Sequence, residues 1–196
     1  MKSIEFWFDF GSNYSYLSMM RIQRLARAAG VRVRLQPFML GPIFKSLGWE
    51  TSPFVLQELK GRYVWRDMER QCAKFGLRWQ RPSTFPRNGL LAARIALVAE
   101  AAPWRQAFCE QVMLANFADD REIGDTAVLA RILDGLGADS GAVLQAAQAN
   151  TIKLALRERG AVAQARGMFG APTFFVGDEM FWGNDRLEDA LALAAG

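Results

Sequence analysis

Strand-like sequence is confined to the two ends of this chain, so any sheet it forms must join segments separated by a long helix-like middle. At the first end, Ile4-Glu5-Phe6-Trp7-Phe8-Asp9-Phe10 is rich in aromatics, is bounded by Gly11, and reads as a buried strand. Asn13 to Ala29 reads as a helix: Ser18, Ile22, Leu25 and Ala29 share one face, Gln23, Arg24 and Arg27 lie on another, and Gly30 ends it. Val31-Arg32-Val33-Arg34-Leu35 then alternates apolar and basic residues, the period of a second strand. A strand, helix and strand in this order form a βαβ unit, which implies a parallel pair with a right-handed crossover. At the other end, Thr173-Phe174-Phe175-Val176 is a compact β-run and Gly177-Asp178 a hairpin signal. Glu179-Met180-Phe181-Trp182-Gly183 follows as the partner strand, and Arg186 to Ala195 as a closing helix.

The middle is helical. Leu40-Gly41-Pro42 and Ser52-Pro53 punctuate a loop with a short helix, and a long helix is expected over Leu56 to Phe75. Arg81-Pro82-Ser83-Thr84-Phe85-Pro86 is a connector that cannot be helical throughout. Further helices are expected at about 89–101, 103–117, 125–136, 139–148 and 151–166, with Asp125 and Asp139 as N-caps. Trp104, Phe108, Val112 and Ala115 make an amphipathic stripe of core character. The order βαβ, helices, ββα is that of an α/β protein: a thioredoxin-like domain with a large all-helical insertion. Its expected division is 1–38 with 167–196 for the thioredoxin-like domain and 39–166 for the insertion.

Composition narrows the chemistry. The 196 residues are 51% hydrophobic, enough to bury a sizeable core, and 22% charged, an ordinary globular fraction. No apolar run approaches the roughly 20 residues of a bilayer span. Met1-Lys2-Ser3-Ile4-Glu5 runs straight into strand pattern without a signal-peptide core, so a cytoplasmic protein is expected, with no membrane partner. The net charge of +4 comes from scattered arginines, and no nucleic-acid module or basic stripe is visible. There is no histidine, which excludes histidine-based triads and histidine-ligated metal sites. Cys72 and Cys109 lack CxxC spacing and read as two core thiols.

Two constellations carry chemistry. The first, Phe8-Asp9-Phe10-Gly11-Ser12-Asn13-Tyr14-Ser15-Tyr16, sets Ser12 and Ser15 as an SxxS pair at the turn between strand and helix, where thioredoxin-like redox enzymes carry CxxC. A helix N-terminus offers free N–H groups and a positive dipole end, which favour a thiolate. A serine hydroxyl there cannot do redox chemistry, but it can donate a hydrogen bond to a thiolate brought by another molecule; it can also serve simply as an N-cap. The second is Gly170-Ala171-Pro172-Thr173, where a thioredoxin-like frame places a cis-proline and a ligand-pairing backbone.

Three stretches, Phe8 to Leu17, Leu40 to Lys45 and Gly167 to Leu187, together resemble the 2-hydroxychromene-2-carboxylate isomerases. That family is similar to kappa-class glutathione transferases and to the DsbA-like branch of the thioredoxin superfamily. The resemblance spans essentially the whole chain and implies glutathione as cofactor, a small aromatic carboxylate as substrate and a homodimer. By it, Ser12 stabilises the glutathione thiolate and Ala171, before cis-Pro172, pairs its backbone with the cysteinyl unit. Asp185, with Asn184 and the Trp182-Gly183 turn, holds the γ-glutamyl end; Lys45 meets a carboxylate of glutathione or of the substrate, and Ser52 and Pro53 line the glycyl side. Asn88 reaches the substrate region, as does Trp49, which stands where kappa-like relatives often show Asn. Taken alone, Asp185 also reads as a helix cap and Lys45 as a solvated charge. The implied activity is interconversion of 2-hydroxychromene-2-carboxylate and trans-o-hydroxybenzylidenepyruvate, as in naphthalene-type catabolism. A kappa-type transferase or peroxidase, and a non-catalytic glutathione- or peptide-binding module, remain as rivals.

Overall fold

The computed structural model describes residues 2–196. Its sheet is built from both ends of the chain: β1 (Ser3–Phe8), β2 (Arg32–Pro37), β3 (Thr173–Val176) and β4 (Glu179–Trp182), in the order β2-β1-β3-β4. β1 runs parallel to β2, with Phe6 opposite Leu35, and antiparallel to β3, with Phe6 opposite Phe174. The β3–β4 hairpin turns at Gly177, whose φ of +59° suits a residue without Cβ.

Strand alternation divides the aromatics between two faces. Ile4, Phe6, Phe8 and Phe174 enter the main core, where Phe6 stacks on Phe174 at 5.2 Å. Trp7 and Phe175 point the other way, into a smaller cluster with Phe38, Ile43, Ala163 and Met168. The main core is continuous from the sheet through α1 (Asn13–Ala28) into the helical middle, where Phe108, Val112 and Phe117 are fully buried. The stripe expected to be core is core: Phe108, Val112 and Ala115 are buried, with Trp104 packed against them.

The helices of the middle are α2 (Leu40–Ser46), α3 (Pro53–Leu56), α4 (Glu58–Phe75), α5 (Leu90–Val98), α6 (Arg105–Phe117), α7 (Thr126–Gly135), α8 (Ser140–Ala147) and α9 (Asn150–Ala165); α10 (Leu187–Ala195) closes the chain. Asp125 and Asp139 cap α7 and α8 as expected, accepting from Ala127 N and Ala142 N. Of the boundaries that differ from the sequence expectation, three have a clear local cause. The first strand stops at Phe8 rather than Phe10, because the Asp9 carboxyl takes the amides of Gly11 and Leu40 and draws the chain out of the ladder. The helix expected from Leu56 starts at Glu58: Leu56 ends the short α3 that Ser52 caps and Pro53 opens, and Gln57 is extended before α4 runs to Phe75 as expected. The last strand ends at Trp182, since Gly183 has φ +109°, and a 3₁₀ turn over Asn184–Arg186 precedes α10.

Candidate functional site

Ser12 holds the N-cap of α1 in extended conformation, and its hydroxyl works in both directions. Oγ accepts from Ser15 N at 3.2 Å and donates to the Ala171 carbonyl at 3.2 Å, across 159 residues of chain. Its backbone N–H is taken by Asp9 O at 3.0 Å. Among the described residues, the amides of Asn13 and Tyr14 have no such partner, so two first-turn N–H groups stay free beside the hydroxyl. Two buried side-chain atoms of the same turn, Asn13 Nδ2 and Ser15 Oγ, also lack partners. The turn is a cluster of unspent donors at the positive end of a helix of 16 residues, which suits one negative charge.

The second constellation closes on the first. The Ala171–Pro172 bond is cis, as the sequence reading expected. Pro172 O accepts from Gly183 N at 2.9 Å, which ties the segment before β3 to the turn after β4. Trp182 lies against Gly170, where a Cβ would run into its indole, and meets Phe169 edge-on at 4.9 Å. Gly183 needs its missing Cβ as well: the atom would sit 2.5 Å from Asp185 Oδ1. Asn184 is buried, and its Oδ1 accepts from Ser18 Oγ at 3.1 Å and Arg21 Nη1 at 3.0 Å. Its amide thus pins the 3₁₀ turn to α1 and leaves Asp185 as the turn's outward carboxylate. The structure therefore brings together Ser12, Ala171, Pro172, Trp182, Gly183, Asn184 and Asp185.

The other expected site residues lie in neighbouring loops. Lys45 is exposed on α2, and Trp49 follows that helix, packed on Phe44 at 5.8 Å. Ser52 is buried with Oγ accepting from Phe54 N at 3.2 Å, and Pro53 opens α3. Asn88 is exposed, and its Oδ1 accepts from Leu90 N at 2.9 Å at the start of α5. Among the described residues, no hydrogen bond joins any of these five to Ser12. A cavity of about 370 Å³ between α6 and α7 shares no residue with the turn either.

Sequence reasoning missed the groups that hold the turn from behind. Asp9 sits beneath it, and burial pushes its carboxyl pKa up against the two amide bonds that pull it down. The Arg87 guanidinium, buried, donates to Asn116 Oδ1 at 3.2 Å and also pairs with Asp120. Asn116 Nδ2 then donates to Phe10 O at 2.9 Å, two residues before Ser12. The available signal was Asn116 itself, a lone amide in the apolar run Met113-Leu114-Ala115-Asn116-Phe117. Tyr14 donates its hydroxyl to Asp67 Oδ2 at 2.8 Å; burial, that bond and the charges of Asp67 and Asp185 raise its pKa, so the phenol stays protonated.

Chemically, the turn is a donor site. With no histidine in the chain and Asp9 committed to two amides, nothing activates Ser12 as a nucleophile. Cys72 and Cys109 are free and buried, their pKa values pushed up to about 12 by burial, and both lie outside the turn. Among the described residues, no group of three or more His, Cys, Asp or Glu is placed to hold a metal, and no helix is long and apolar enough to cross a membrane.

A family model described as the DSBA-like thioredoxin domain matches residues 3–193. A 2-hydroxychromene-2-carboxylate isomerase of Sphingobium xenophagum is 29% identical over 188 residues, covering 95% of both chains. A solved structure of 2-hydroxychromene-2-carboxylate isomerase superposes with a TM-score of 0.88 at 26% identity, over 97% of this chain and 93% of that one. The cytosolic disulfide reductase DsbM of Pseudomonas aeruginosa, solved with GSH, shares the fold with a TM-score of 0.69 at 16% identity, over 97% of this chain and 96% of its own.

Proposed function

The chain belongs to the DSBA-like thioredoxin domain family, and on that premise we propose that it is a glutathione-dependent isomerase. Its substrate pair is 2-hydroxychromene-2-carboxylate and trans-o-hydroxybenzylidenepyruvate, in naphthalene-type aromatic catabolism. The observation that carries the reading is the hydroxyl of Ser12, rather than a thiol, at the N-terminus of α1 with its proton on Ala171 O. A dithiol reductant needs sulfur at that turn. An isomerase that borrows a thiolate needs only a donor there. The full-length likeness to isomerases of this name supports the same choice.

The residues present fit glutathione. The free amides of Asn13 and Tyr14 and the unpartnered Ser15 Oγ are orphaned donors where a sulfur anion would sit. Bound glutathione supplies a thiolate nucleophile that is regenerated in each turnover. Ser12 donates to that sulfur by turning its proton from Ala171 O, while Oγ keeps accepting from Ser15 N. Ala171 offers its backbone to the cysteinyl unit, and Asp185 accepts from the γ-glutamyl amine on the turn that Gly183, Asn184 and Trp182 shape. Lys45, Ser52 and Pro53 complete the glycyl side, and Trp49 and Asn88 the substrate side. Helix dipole and hydrogen bonds in a preorganised turn lower a thiol pKa and need no proton-transfer base.

In this reading, residues 1–38 and 167–196 form the thioredoxin-like domain and 39–166 the insertion. The protein is cytoplasmic and a homodimer. Leu56, Leu59 and Tyr63, exposed at 50%, 75% and 62%, present apolar surface that supports self-association. The deciding experiment is turnover of 2-hydroxychromene-2-carboxylate by the purified protein with and without glutathione. We expect interconversion only with glutathione, and full recovery of the thiol afterwards. No turnover, or consumption of glutathione in step with substrate as in a transferase, overturns the reading.

A further inference from the structure

The cavity of about 370 Å³ lies between the C-terminal half of α6 and one face of α7. Its floor is apolar: Ala115 and Val128 are buried, and Ile132 and Leu136 are partly buried beside them. Val128, Ile132 and Leu136 follow one another four residues apart, so they form one stripe about 12 Å long.

The rim is cationic. Arg121 and Arg131 line the cavity and are exposed. Among the described residues, neither has a carboxylate within ion-pairing distance. Asp119 is the one carboxylate in the lining, and it is already paired with Arg78.

Gly135 leaves the groove open. It stands on the lining face as the last residue of α7, and an added Cβ there would meet nothing within 4 Å. Neither a close neighbour nor a positive φ asks for glycine at this position, and glycine is a poorer helix former than alanine. Gly137, two residues on, is different: its φ of +73° ends the helix. What the missing side chain of Gly135 provides is room beside Ile132 and Leu136.

We propose that this groove binds a medium-chain carboxylate, its head held by Arg121 and Arg131 and its chain laid along Val128, Ile132 and Leu136. The site is separate from the Ser12 turn and does not rest on the isomerase reading. Three features select this ligand. Two guanidinium groups without counter-ions match a carboxylate, which they can bind through paired N–H donors. The floor is elongated rather than round, which suits an extended chain. The volume lies near the lower end of the roughly 300–1,000 Å³ of small-molecule pockets, which favours one short chain over a two-chain lipid.

The test is calorimetric titration of the full chain with octanoate, and with octanamide as its neutral partner. Wild type should bind octanoate at least fivefold more tightly than octanamide, and excess glutathione should leave that affinity unchanged. Arg121→Met and Arg131→Met should each weaken octanoate at least threefold and leave octanamide as in wild type. Gly135→Leu should abolish binding of both ligands by filling the groove, with a melting temperature equal to or above that of wild type. Should that variant melt lower, the two arginine variants decide, since neither residue carries an ion pair that its loss would break. No binding to wild type, equal binding of octanoate and octanamide, or wild-type octanoate affinity in both arginine variants overturns the site. So does competition with glutathione, which would move the anion to the Ser12 turn, and so does undiminished binding by a stable Gly135→Leu.

Discussion

Ser12→Ala separates a cap from a donor, because the hydroxyl has two bonds with different consequences. Losing the bond from Ser15 N removes an N-cap, a cost of about 1 kcal/mol, and losing the bond to Ala171 O adds about 0.5–1.5 kcal/mol. The variant should thus unfold some 1–3 kcal/mol more easily. At about 2–4 °C per kcal/mol for a chain of this size, that is a melting shift of several degrees. The effect on the thiolate is separate. A hydrogen bond to a charged group contributes about 1.5–3 kcal/mol, and each pKa unit corresponds to about 1.36 kcal/mol. Bound glutathione should therefore titrate about 1–2 units higher in Ser12→Ala, read from ultraviolet thiolate absorbance. The acid limb of kcat/KM should move by the same amount. Asp125→Ala is the control: it removes an equivalent cap, accepting from Ala127 N at 2.8 Å, on a helix outside the site. If both variants lose similar stability and the bound thiol pKa moves in neither, Ser12 only caps α1 and the mechanism fails.

Gly183→Ala should lose about 1–3 kcal/mol in urea unfolding, from a φ of +109° and a Cβ 2.5 Å from Asp185 Oδ1. It should also weaken glutathione binding, whereas Gly30→Ala, with φ +66° but open space around it, should affect stability alone. Arg87→Met should cost about 1–3 kcal/mol from the stranded Asn116 amide. That is less than the about 3–5 kcal/mol of a broken fully buried pair, since Asp120 and Glu122 side chains are 31% and 51% exposed and rehydrate; a loss within about 0.5 kcal/mol would refute the network. Asp9 has a carboxyl pKa raised by burial, so between about 3.9 and that raised value the native state binds more protons than the unfolded one. Stability of wild type minus Asp9→Asn should accordingly fall as pH rises through that window and be level on either side; a difference that climbs would show Asp9 to be favoured as the anion.

What the sequence made legible was what short-range chemistry specifies. The βαβ unit and the β3–β4 hairpin carry their own periodicity and turn signals, and Ser12, Asp125 and Asp139 are caps recognisable from one helix turn. The meeting of Ser12 with Ala171 is a different matter, since no local rule brings together residues 159 apart; only resemblance to a family suggested it. The groups behind the turn had no such aid. Arg87, at the end of a proline-rich connector, is buried because Asn116 in the last turn of α6 and Asp120 just beyond it receive it, an encounter no local pattern announces. Asn184 was assigned to the γ-glutamyl end by the family resemblance alone; that its Oδ1 also accepts from Ser18 and Arg21, tying the turn to α1, no local pattern announced. The helix expected over Leu56 to Phe75 ends where expected but starts two residues late for a local reason: an extended Gln57 after the Pro53 turn does not disturb the apolar period.

The anionic sulfur that the site is proposed to hold is met by dipoles rather than by a fixed cation. At the Ser12 turn, hydrogen bonds and ion pairs bring in no Lys or Arg side chain, Tyr14 stays a neutral phenol, and burial biases Asp9 towards its neutral form. Only dipoles remain there: two free amides, one hydroxyl and the helix end. Dipoles stabilise one compact negative charge and lose their grip within a turn's length, which suits a sulfur that must become an anion, react and be restored. A fixed cation at that point would hold the thiolate as firmly before reaction as after it, and lower its nucleophilicity. Meeting the reacting sulfur with dipoles explains how a chain without histidine can assemble this chemistry from a helix cap.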